Sequence, residues 1–156
     1  MQSPLRYAHV YLSESRPAIV APMHFNSAGI YYEQEEVFVD DSVGWCALSA
    51  LLRSALDRYS FREANLREGK KTDWPSYKAS HCRSVRQFEE LYLRIAICAV
   101  NNAELFYDAS CQPRCENDIS LHIMPNPYAK GNEMDNLLKK LFKASLRWVP
   151  NTDQDS

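Results

Sequence analysis

The sequence predicts an α+β fold, with a mostly antiparallel sheet packed against about three helices in a single domain. Three observations predict it. Strand-like runs gather early and late in the chain, at 5–12, 30–39 and 93–124. Apolar residues spaced three and four apart form stripes at 42–59 and 132–148, and Ser84 with Gln87 forms a capping-box pattern. The order is strands, helix, helix, strands, helix, which lacks the regular β–α alternation of a parallel sheet.

Residues 5–12, LRYAHVYL, alternate as a strand with Tyr7, His9 and Tyr11 on one face. Pro17 opens a short apolar piece, AIVAP, that Pro22 is expected to end. Gly29 precedes a long strand over 30–39, bent near its middle, whose mixed faces suit a sheet edge. Asp41 or Ser42 is expected to cap the next helix, with Trp45, Leu48, Leu52, Ala55, Leu56 and Tyr59 on its core stripe. Residues 60–73 read as a polar loop. A helix starts at Val85, and RIAICAV turns to strand near Leu93. Asn101-Asn102 suits a hairpin turn into AELFYDA, and DISLHIM is a further strand. Asn132 caps a last helix bearing Met134, Leu137, Leu138, Leu141 and Trp148.

At 156 residues the chain fits one domain over 1–150, with NTDQDS at 151–156 as a disordered tail. A net charge of -2 argues against a general nucleic-acid binder, and four glycines leave little room for a phosphate-cradling loop. The N-terminus lacks the pattern of a secretory signal, and no apolar run reaches membrane-spanning length. Five cysteines, an odd count without a signal, read as reduced thiols in the cytoplasm.

Catalytic motifs are absent: no G-x-S-x-G, H-E-x-x-H or Walker pattern occurs. Cys111, Cys115 and His122 are spaced too loosely for a structural zinc site, and a fourth ligand would have to come from Cys98 or His81. No metal or cofactor is expected. Cys82 or Cys98 paired with a histidine across the fold is the alternative reading, a small cysteine- or histidine-dependent enzyme. The expectation adopted is a protein without catalysis.

The densest like-charged cluster is YYEQEEVFVDD, with Glu33, Glu35, Glu36, Asp40 and Asp41 beside Tyr31 and Tyr32. Acids defend an edge strand against aggregation. They also steer a basic partner, while tyrosines supply contact area. These seven residues are the candidate partner-binding surface.

The segment 74–97, WPSYKASHCRSVRQFEELYLRIAI, sharpens that reading. Trp74, Ala79, Ser84 and Phe88-Glu89 match a pattern that ends A-x-G-x-K-S-x-x-x-F-E. His81 stands at its glycine and Arg83 at its lysine. The segment resembles the immunity proteins of bacterial contact-dependent growth inhibition systems, and the order of elements over roughly 28–148 is similar too. The resemblance implies a cytoplasmic protein that binds one cognate toxin C-terminal domain, commonly a nuclease, and blocks its active site. It implies no cofactor, no direct contact with nucleic acid and no membrane.

Overall fold

A computed structural model describes residues 5–42, 45, 47–99, 105–110, 120–123, 136 and 139–140, with the backbone alone for 105–110 and 120–123. The expected α+β architecture is present. The strands are β1 (Arg6–Leu12), β2 (Ala18–Phe25), β3 (Tyr31–Glu33), β4 (Phe38–Asp40), β5 (Ser60–Phe61), β6 (Leu93–Ala99), β7 (Leu105–Ser110) and β8 (Ser120–Ile123). The helices are α1 (Leu48–Asp57), α2 (Pro75–Ser80) and α3 (Val85–Leu91). Strand order is β3-β2-β1-β6-β7-β8, with β4 and β5 also paired to β2. Every pairing is antiparallel except the short β2–β5 contact.

The period of two in β1 sorts its side chains onto two faces. Ala8, Val10 and Leu12 join Ala18, Val20, Ile95 and Ile97 under α1, which contributes Leu48, Leu52, Ala55 and Leu56. Those helical spacings place four apolar side chains on one stripe. Burying each leucine is worth roughly 1.5–3 kcal/mol. The opposite face carries Tyr11, Ile19 and Ala21 under Phe88 and Tyr92, with Trp74 and Tyr77 packed alongside. The sheet is thus covered by α1 on one side and by α2 and α3 on the other.

Three expectations are corrected. Pro22 does not end β2, which runs through it to Phe25. A strand residue points its N–H and C=O to the same side, so the donor Pro22 lacks is on the side where its carbonyl receives Gln34 N–H at 2.8 Å. There the neighbouring strand breaks. Instead of one long strand over 30–39, β3 pairs with residues 23–25 and β4 with residues 18–20. Residues 34–37 therefore stand opposite Ala21 and Pro22 alone, a bulge at a proline.

The first helix begins at Leu48 rather than just after Ser42. Trp45 at φ 55° lies outside helical space. Asp40, not Asp41 or Ser42, holds the helix entry. One of its oxygens accepts from Ser42 N–H at 3.0 Å and from the Ser42 hydroxyl, and the other accepts from Ala47 N–H at 3.0 Å.

The helix α2 is an addition to the elements that the sequence pattern predicts. Pro75 occupies its first turn, where a missing N–H costs nothing. The helix starting at Val85 is as expected, with Gln87 N–H donating to Ser84 Oγ at 3.1 Å. Gln87 Oε1 reaches back to Arg83 N–H, one residue before the box position. The Asn101-Asn102 turn, Cys111, Cys115, the 132–148 helix as a whole and the 151–156 tail lie outside the described residues. His122 is placed by backbone only, opposite Asp108. Among the described residues no helix is long and apolar enough to cross a membrane.

Candidate functional site

The bulge sorts the acidic cluster into two sets. Gln34 turns inward and donates through Nε2 to the carbonyls of Met23 (3.2 Å) and Arg58 (2.6 Å). Val37 packs towards the Tyr11 cluster. Glu35 and Glu36 are left pointing outward, and Asp41 is exposed as well. Glu36 pairs loosely with Arg58 at 3.4 Å while remaining 85% exposed. Exposed pairs of this kind contribute little to stability.

Glu33 and Asp40 belong to the interior instead. Asp40 is the clamp at the entry to α1 and is buried. The Glu33 side chain is 5% exposed. Its Oε2 accepts from Ser76 N–H at 3.0 Å and from Ser76 Oγ at 2.7 Å. Its Oε1 accepts from the Tyr11 hydroxyl and faces His9 Nδ1 at 3.6 Å. Burial would push this carboxyl up, but His9, Ser76 and Trp74 outweigh it and hold the group below the ordinary carboxylate range. Burial, followed by the Glu33 charge, pushes the Tyr11 hydroxyl well up.

Tyr31 and Tyr32 leave β3 in opposite directions, as the strand period requires. Tyr31 packs on Tyr7 with ring centroids 4.2 Å apart and on Phe25 at 4.9 Å, yet it stays 39% exposed. The Tyr32 hydroxyl donates to the Arg62 carbonyl at 2.6 Å, tying the polar 60–73 segment to the edge. His24, beside Tyr32, has its imidazole pushed down chiefly by burial.

These groups border an open cleft of about 410 Å³. His9, Tyr11 and Arg94 come from β1 and β6, Tyr31 and Glu33 from β3, and Glu35 from the bulge. Lys70, Asp73 and Trp74 close it from the turn before α2. The Asp73 carboxylate accepts from Lys70 N–H at 3.0 Å, which fixes that turn. Trp74 stands edge-on to Phe88 at 4.8 Å, so the cleft wall is anchored in the core. Tyr31, Tyr32, Glu33 and Glu35 of the candidate surface meet at this cleft, whereas Glu36, Asp40 and Asp41 do not line it.

His9, Tyr11, Lys70, Asp73, Trp74 and Arg94 line the cleft although the sequence does not single them out as a site. The signal for His9 was its place on the Tyr7–Tyr11 face of β1. Arg94 is the register partner of Tyr11, a relation that only the β1–β6 pairing reveals. Cys82 is buried and Cys98 half-buried, and both are free thiols. Among the same residues no group of three or more His, Cys, Asp or Glu could hold a metal ion.

No protein-family model matches the chain, and no curated protein is similar to it. Among solved structures, the chain is similar in fold to NMB0488 from Neisseria meningitidis, described as a protein of unknown function. The TM-score is 0.68 at 14% identity, over 92% of this chain and 97% of that one. At that identity the likeness is one of fold, and it extends over nearly the whole of both chains.

Proposed function

We infer that the protein is a cytoplasmic immunity protein that binds the C-terminal domain of a cognate contact-dependent growth inhibition toxin and neutralises it. The observation that carries this reading is the conformation of His81. It stands at the glycine of the resembling pattern and takes the left-handed conformation, φ 54° and ψ 24°, that ends α2. Glycine is the residue best suited to that position, so the pattern and the local geometry agree. The other matching residues also have structural work there: Trp74 and Phe88 pack together, and Ser84 caps α3.

The chemistry supports the same reading. A nuclease active site is cationic, and Glu35, Glu36 and Asp41 form an exposed acidic rim on the bulged edge. Neutralisation needs only that the immunity protein cover the toxin's active site and match its charge, without catalysis or cofactor. The bulge also prevents β3 and β4 from offering one long edge for strand addition, so side-chain contacts carry the association.

The reading expects a large exoprotein to be encoded upstream, and the test is co-expression with its C-terminal domain. Growth should be restored, and purified components should form a complex whose association slows with added salt. Charge reversal at Glu35 and Glu36 together should slow association further. A toxin domain that still kills, with no complex detected, removes the reading.

A further inference from the structure

We propose that the cleft between the bulge and α2 is the receptor for one cationic side chain, a lysine or arginine projecting from the partner protein. The proposal rests on the immunity reading and names the feature of the partner that the site would take. The lining carries three carboxylates, Glu33, Glu35 and Asp73, against two fixed cations, Lys70 and Arg94. That surplus of carboxylate over lysine and arginine favours a cationic guest. Ionised Glu33 is consistent with the donors that hold it below the ordinary carboxylate range.

The acceptors left open also favour a donor-bearing guest. Glu33 is already occupied by Tyr11 and Ser76, so it serves as the negative floor rather than as a contact. His9 Nδ1 faces that carboxylate at 3.6 Å and is held against the cleft floor. Glu35 adds an exposed carboxylate at the rim. Tyr31 and Trp74 bring aromatic rings to the same space, and ring faces attract cations. Arg94 also lines the cleft, and a guanidinium there can donate to carbonyl oxygens flanking the guest side chain.

The cleft and the outer rim would then differ in kinetics. Seating one side chain governs how long the complex lasts, whereas rim charge governs how fast it forms. Binding of the upstream-encoded toxin domain is measured with Glu35→Gln and, as the control outside the cleft, Glu36→Gln. Thermal unfolding confirms that both variants are folded. Glu35→Gln is expected to raise the dissociation rate about tenfold, and Glu36→Gln to change only the association rate. Equal dissociation rates for wild type and Glu35→Gln would overturn the cleft inference while leaving the immunity reading intact.

If the wild-type protein fails to bind that toxin, the immunity reading falls. N-acetyl-arginine amide then decides the cleft by itself. Shifts of the Trp74 indole resonance that saturate, and that weaken in Glu35→Gln, keep the inference. An unmoved resonance overturns it.

Discussion

Glu33 of β3 accepts hydrogen bonds from both the backbone N–H and the hydroxyl of Ser76, 43 residues further along the chain. Trp74 at the N-cap of α2 makes no side-chain cap bond, so the sheet supplies the acceptor that the helix lacks. Replacing Glu33 with Gln keeps the shape but sets an amide among groups that donate. The expected loss is about 1–3 kcal/mol of unfolding free energy at neutral pH, read from urea titration. A variant as stable as wild type would mean that α2 is held by Trp74 packing alone.

The same carboxylate makes a pH prediction with a definite sign. Its folded pKa is held below the ordinary value, so its ionised form stabilises the folded state. That contribution is complete above about pH 4.3, the unfolded value, and is lost as pH falls through the lower folded value. Stability curves of wild type and Glu33→Gln should therefore run apart near neutrality and converge as the solution is acidified below about pH 4. Parallel curves across that range would assign the loss to packing rather than to charge.

Asp40 yields a second contrast. It is buried and holds the entry to α1 through Ser42 and Ala47, while its neighbour Asp41 is exposed. Asp40→Ala should cost about 1–2 kcal/mol, the usual range for a lost cap. Asp41→Ala should stay within about 0.5 kcal/mol. Thermal unfolding of the two variants side by side separates the structural acid from the surface acid. Equal effects would show that the clamp does not hold the helix.

What could be read from sequence was whatever depends on near neighbours. The two faces of β1, the start of α3 at Ser84 and the strand at Leu93 follow from local period or from a cap within one turn. The break between β3 and β4 does not, because it answers to Pro22 on the adjacent strand. The helix α2 was missed for a related reason: its cap arrives from Glu33, far away in sequence. Glu33, Glu35, Glu36, Asp40 and Asp41 are chemically alike in the chain. Donors gathered from β1, α2 and the α1 entry make two of them structural and leave three at the surface. The cleft was out of reach because its walls come from five separate stretches, 9–11, 23, 31–35, 66–75 and 94.

Leu52 sits on the buried stripe of α1 with no exposed surface, between the helix and the Val10–Ile95 face of the sheet. Leu52→Ala removes three carbons and leaves a cavity, so a loss of about 2–5 kcal/mol is expected. The denaturant midpoint should fall with an unchanged slope if the change acts on the folded core. The Glu35→Gln variant should leave that midpoint in place, because its side chain is at the surface.

His81 offers the one substitution expected to stabilise the chain. Its left-handed backbone brings Cβ close to the following carbonyl, a cost of roughly 1–2 kcal/mol that glycine does not pay. Glycine also gives the unfolded chain more freedom, which offsets part of the gain. The net expectation for His81→Gly is a gain of about 0.5–1 kcal/mol, or a rise in Tm of roughly 1–4 °C. His81→Val should move the other way, because a β-branched residue tolerates positive φ poorly. Calorimetry on both variants tests the pair. If glycine lowers Tm, the imidazole makes a stabilising contact worth more than the strain, and the agreement between this position and the glycine of the resembling pattern loses its physical basis.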